Sequence, residues 1–216
     1  MLARLEQSAA PLSAHDLKRA KHALMVLPKV ESLDALSGVP AVDALSAALS
    51  RRAKKVAELA QTPLATDLAH GTLASWVMVD PSRSVFERQT VLRKGLQSLL
   101  AENPGELTIA VFGPAGARRR AAELAVYSAW VNGARLPERK KKPAGALRAI
   151  RMHGHASANA FAERRAAAEA NVLARELTVL PPNELTPGTY RKRVRELARQ
   201  RGWRHEEYDV GRLRKM

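Results

Sequence analysis

Residues 156–189, ASANAFAERRAAAEANVLARELTVLPPNELTPGT, divide the chain. The first part is alanine-rich and reads as a helix. Pro181-Pro182 ends it, because proline has no backbone N–H and its ring clashes with the preceding turn. A new helix is predicted at Thr186-Pro187, with Thr as N-cap and Pro as the first helical residue. The division predicts three parts: an α/β domain over residues 1–155, a linker helix and proline loop over 156–185, and the beginning of a second, truncated α/β domain over 186–216.

Upstream of the divide the pattern alternates. Residues 1–20 are polar and mixed, an N-terminal extension or an edge segment. Residues 22–30, HALMVLPKV, form an apolar run ending in proline, which fits a buried strand. Residues 33–59 contain a helix, since Val42, Leu45, Ala48, Leu49 and Ala53 recur at helical spacing. Residues 66–79 read as a hairpin turning at His70-Gly71, with Trp76 in its second strand. Ser84 and Glu87 make a capping box. The helix it opens carries Leu92, Leu96, Leu99 and Leu100 inward, and Asn103-Pro104-Gly105 ends it. Residues 107–112, LTIAVF, are the clearest buried strand.

Gly113-Pro114-Ala115-Gly116 then turns into a helix over 117–131, packing through Ala121, Leu124, Ala125, Ser128 and Val131. Residues 146–152 read as a further strand. This alternation predicts a mixed sheet with helices on both faces. Beyond the double proline, a helix over 187–200 is expected to turn Tyr190, Val194, Leu197 and Ala198 inward and to end at Gly202. A strand over 203–208 and a short helix from Asp209 follow.

Aromatic residues are only 4% of the chain, so Ala, Leu and Val must fill the core. There is no cysteine, which excludes disulfides and thiolate metal sites. No apolar run is long enough to cross a bilayer, and the N-terminus lacks the apolar core of a secretory signal. A cytoplasmic protein without membrane contact is expected. The net charge of +15 favours nucleic acid or another polyanion as partner. Its spread over several helices, rather than in one block, fits a solvated, Arg-rich surface better than a dedicated site.

Few residues suggest chemistry. Residues 113–116 lie between a strand and a helix start and could cradle a phosphate, yet they lack the spacing and lysine of a P-loop. His153 and His155 have no third ligand at a recognisable spacing. Glu206, Glu207 and Asp209 cluster, but neighbouring strand residues point to opposite faces. No catalytic and no metal-binding residue is assigned. Three basic groups are candidates for polyanion contact. They are Arg118, Arg119 and Arg120 at a helix start, Arg139, Lys140, Lys141 and Lys142 in a loop, and the basic residues of 191–201. Arginine in a first helical turn opposes the helix dipole, which singles out Arg118 to Arg120.

Residues 169–190, EANVLARELTVLPPNELTPGTY, resemble the inter-domain junction of the leucyl (cytosol) aminopeptidase family. The matching features are a helix ending in an Asn-Leu-Ala-Arg-like segment, the loop Pro181-Pro182-Asn183, and Leu185-Thr186-Pro187 opening a new helix. Residues 208–216, YDVGRLRKM, resemble the segment before that family's first catalytic-domain glycines. The resemblance implies a macro-domain-like N-terminal domain. For the parent it implies a homo-hexameric enzyme that removes N-terminal residues from peptides with two divalent ions, Zn or Mn. The family's catalytic and metal-binding residues lie beyond the resembling segments, so none transfers to a position here. On this reading the chain is a non-catalytic piece of a longer enzyme. The alternative is a freestanding basic module that contacts DNA weakly, or another polyanion.

Overall fold

The computed structural model describes residues 1–138, 145–157 and 159–216. The predicted contact residues Arg139, Lys140, Lys141 and Lys142 lie outside the described residues. The chain divides into two compact units, Met1–Leu173 and Ala174–Met216.

The first unit is built on a six-stranded sheet. Its elements are β1 (Arg4–Ser8), α1 (Ala14–Arg19), β2 (His22–Pro28), α2 (Val42–Arg51), β3 (Leu64–Asp67), β4 (Leu73–Val79), α3 (Val85–Leu100), β5 (Glu106–Val111), α4 (Ala115–Gly133), β6 (Ala149–His153) and the first part of α5 (Ala162–Val179). Two 3-10 turns, Leu33–Leu36 and Val56–Ala60, flank α2. The strand order is β1-β6-β5-β2-β4-β3. Every neighbouring pair is parallel except β3 with β4, the predicted hairpin.

Parallel strands need crossover connections, and these lay helices on both faces. The side chains follow that division. Leu24 and Val26 of β2, Val77 of β4 and Ile109 of β5 join one core with Leu92, Leu96, Ala125, Ala129, Ala168 and Val172. Met25, Leu27, Trp76 and Met78 join the other with Leu17, Leu45, Leu49 and Leu59. The central strands are buried on both faces, so they read as continuous apolar runs.

Local signals set the helix ends. Ser84 Oγ accepts from the Glu87 N–H at 3.2 Å, and Glu87 Oε2 accepts from the Ser84 N–H at 2.9 Å, closing the predicted capping box. Ser13 caps α1 by accepting from the Asp16 N–H at 3.0 Å. Helix α4 starts at Ala115, two residues before the predicted start, with Pro114 as N-cap, so Arg119 and Arg120 lie past its first turn and do not oppose the helix dipole there as expected.

Residues 4–8 form an edge strand in register with β6, from Arg4 opposite Ala149 to Ser8 opposite His153. Trp130 Nε1 donates to the Ala3 carbonyl at 2.9 Å and ties this edge to α4. Ala53 does not continue the α2 face as expected. It lies past the helix in the left-handed region, at φ 51°, and is exposed.

The second unit contains the end of α5, α6 (Pro187–Arg201) and α7 (Val210–Leu213). Thr186 caps α6, its Oγ1 accepting from the Thr189 N–H at 3.2 Å. Gly202 ends α6 at φ 67°, as its predicted C-cap role requires. Asp209 caps α7 by accepting from the Arg212 N–H at 2.7 Å.

Two expectations fail in this unit. The strand over 203–208 is absent, and the segment is irregular. A strand needs a partner for its backbone groups, and no described strand lies in this unit. Tyr190 does not turn inward: it is 47% exposed, while Ala198 is buried. No helix among the described residues is long and apolar enough to cross a membrane.

Candidate anion-binding surface

The site begins where β5 ends. Gly113 takes φ 101°, and a Cβ there would lie 2.8 Å from Pro28 Cβ, so only glycine fits this turn. The turn sets the first residues of α4 at the C-terminal ends of β2, β4 and β5. Ligands of open α/β sheets collect at such strand ends. Pro114 offers no side-chain cap and the first turn of α4 holds no acidic residue.

The three candidate arginines at this helix start differ in setting. Arg119 Nε donates to Glu123 Oε1 at 3.1 Å, an i,i+4 ion pair. Glu123 is also approached by Arg164 at 3.5 Å. Arg118 is half-buried, and its Nε is enclosed without a hydrogen-bond partner. Arg120 is exposed and lines two cavities.

One cavity, about 400 Å³, opens at the strand ends between Pro28, Lys29, Val79, Phe112, Gly116 and Arg120. The other, about 380 Å³, lies among α3, α4 and α5 and is lined by Gln89, Arg120, Tyr127 and Arg164. Arg88 of α3 lines both. Lys29, Arg88 and Arg164 were not among the sequence-level candidates. They lie far apart in the sequence, and only the crossover topology brings them to these two cavities, Lys29 to the first, Arg164 to the second and Arg88 to both.

Lys29 is engaged by Asp80, whose Oδ2 lies 3.1 Å from Nζ. Asp80 also accepts from the Ser82 N–H at 2.9 Å and from Ser82 Oγ at 2.7 Å. These hydrogen bonds from Ser82, with Lys29 beside them, hold the Asp80 carboxyl down at about 2.

In the other basic group, on α6, Arg191, Arg193 and Arg195 are paired within their own unit. Glu207 accepts from Arg191 at 2.6 Å and from Arg195 at 2.8 Å. The hydrogen bonds from Arg195 and then Arg191 hold its carboxyl at about 2. Arg193 pairs with Glu176 at 3.2 Å. The acidic cluster seen in the sequence therefore serves ion pairs and a helix cap: Glu206 pairs with Arg204 at 2.7 Å, and Asp209 caps α7.

His153 ends β6, and burial pushes its pKa below the ordinary value. His155 packs edge-on to Phe161, with ring centroids 6.1 Å apart. Among the described residues no three His, Cys, Asp or Glu side chains are grouped to hold a metal ion.

No protein-family model matches this sequence, and no curated protein matches it. Solved structures do match. The bottromycin maturation enzyme BotP superposes at a TM-score of 0.59 with 25% identity, over 91% of this chain and 41% of that one. BotP in complex with Mn gives 0.54 and 26%, over 85% and 37%. A mutant tomato leucine aminopeptidase gives a TM-score of 0.65 with 13% identity, over 92% of this chain and 42% of that one. The fold is therefore an α/β fold of the leucine-aminopeptidase kind. The chain spans about two fifths of the length of these neighbours.

Proposed function

We propose that this chain is the N-terminal, non-catalytic portion of a leucyl-aminopeptidase-like metallo-exopeptidase. The observation that carries the reading is the coverage of the structural matches: nearly all of this chain falls on less than half of BotP and of tomato leucine aminopeptidase. The second unit agrees with it. Trp203, Val210 and Leu213 are 63%, 64% and 56% exposed, an apolar set suited to packing against further protein.

The parent enzyme would remove N-terminal residues from peptides, work in the cytoplasm and assemble as a homo-hexamer. Its two divalent ions, Zn or Mn, would activate water and polarise the scissile carbonyl. The described residues do not fit such a centre, since no three metal donors are grouped. No step of that chemistry is assigned to this chain. The test is hydrolysis of aminoacyl anilides with Mn or Zn. The 216-residue chain should be inactive, and the chain continued into a catalytic domain should be active. Robust activity of the 216-residue chain sinks the reading.

A second reading, weak DNA binding, is favoured by the net charge of +15 and by the exposed Arg120. Its affinity would be roughly 10⁻⁴–10⁻⁶ M at physiological salt and would fall steeply as salt rises. An affinity that ignores salt contradicts it.

A further inference from the structure

Arg88 and Arg120 form the wall shared by the two cavities of the first unit. Neither has a carboxylate partner among the described residues; Arg88 Nε reaches only the Ser84 carbonyl, at 3.4 Å. The nearby acidic groups are already engaged. Glu123 takes Arg119 and Arg164, and Asp80 takes Ser82 and Lys29. Helices α3 and α4 thus present two guanidinium groups without carboxylate partners to the same two cavities, a setting that favours an anion.

Planar guanidinium groups match phosphate oxygens in pairs. The strand-end cavity adds apolar walls from Leu27, Val79 and Phe112, and the neighbouring cavity adds Tyr127 and Gln89. Those walls suit an organic group attached to the anion.

We infer that Arg88 and Arg120 form a binding site for a small phosphate-bearing organic molecule. The phosphate lies between the two guanidinium groups, and the organic part fills one of the adjoining cavities. The site does not depend on the peptidase reading. It differs from the DNA reading because a discrete ligand depends on two named arginines and on the cavity walls, not on the whole basic surface.

The test is calorimetric titration of the 216-residue chain with inorganic phosphate and with phenyl phosphate. Saturable one-to-one binding is expected, with phenyl phosphate the tighter. Arg88→Ala and Arg120→Ala should each weaken it by about tenfold or more, the effect of losing a charge-assisted hydrogen bond. Arg119→Ala, which removes an arginine already paired with Glu123, should change it by less than about twofold on the same scale. Arg120→Gln, which keeps much of the side-chain length, serves if the alanine variant fails to fold. The inference is overturned by an absence of saturable binding. It is equally overturned if phenyl phosphate gains nothing over phosphate, or if Arg119→Ala weakens binding as much as Arg120→Ala.

Discussion

Gly95 of α3 lies so close to Val77 of β4 that a Cβ at residue 95 would stand 2.3 Å from Val77 Cγ1. Val77 is fully buried, and its branched side chain has few rotamers to retreat into. Alanine in place of a helical glycine normally stabilises by up to about 1 kcal/mol. Here overpacking opposes that gain and exceeds it. Gly95→Ala is expected to destabilise the first unit by about 1–3 kcal/mol. A urea titration reads this as a lower midpoint at unchanged slope. A raised midpoint would show that α3 does not sit this tightly on the sheet.

Asp80 should make stability depend on acid. Its carboxyl lies at about 2 in the folded chain against an ordinary 3.8, so the folded state favours the ionised form. That contribution is fully present above pH 3.8 and is lost as pH falls through the folded value of about 2. Asp80→Asn should therefore destabilise the chain at pH 7, by about 1–2 kcal/mol, and lose its effect towards pH 2. Denaturation midpoints at several pH values check this. A difference between variant and native chain that is constant across pH would contradict it.

Glu207 holds the irregular segment after α6 through Arg191 and Arg195. Glu207→Gln removes the charge but keeps the shape. Amide hydrogen exchange over residues 203–209 should quicken while β2 and β5 remain protected, because stability is local to compact units. Because the Glu207 carboxyl lies at about 2, lowering the pH of the native chain to 4 should not reproduce the effect. Equal quickening in the first unit would argue against a local role.

DNA binding, if the second reading holds, should separate the three arginines of α4. Arg120→Glu should weaken it more than Arg119→Glu, because the Arg119 charge is already met by Glu123. Gel-shift titrations at two salt concentrations check this. Equal effects would indicate a diffuse response to net charge.

The legible part of the fold was the part whose signals are local or continuous. Strands β2 and β5 are buried on both faces and show as unbroken apolar runs. The caps at Ser84 and Thr186 and the stop at Gly202 depend on residues within one turn. Strand β1 is legible only as an extension or an edge segment, and it is the edge: RLEQS is partly exposed and its place is fixed by β6 and by Trp130, far along the chain. The strand expected over 203–208 failed for the opposite reason: its residue pattern suited a strand, but no described partner is there to pair with it.

The candidate site was half legible. The dipole argument names Arg118 to Arg120, but α4 starts at Ala115, so Arg119 and Arg120 lie past its first turn, and the argument does not tell the paired Arg119 from Arg120. Arg88 gives no signal in the sequence, since only the packing of α3 beside α4 brings it to the cavities that Arg120 also lines.

The central claim is that this chain is one portion of a larger peptidase. An antibody raised against it, applied to a blot of its source cells, tests that most directly. The account predicts a band at more than twice the 23.6 kDa of this chain, because the chain spans about two fifths of its structural neighbours. A single band at 23.6 kDa would contradict it.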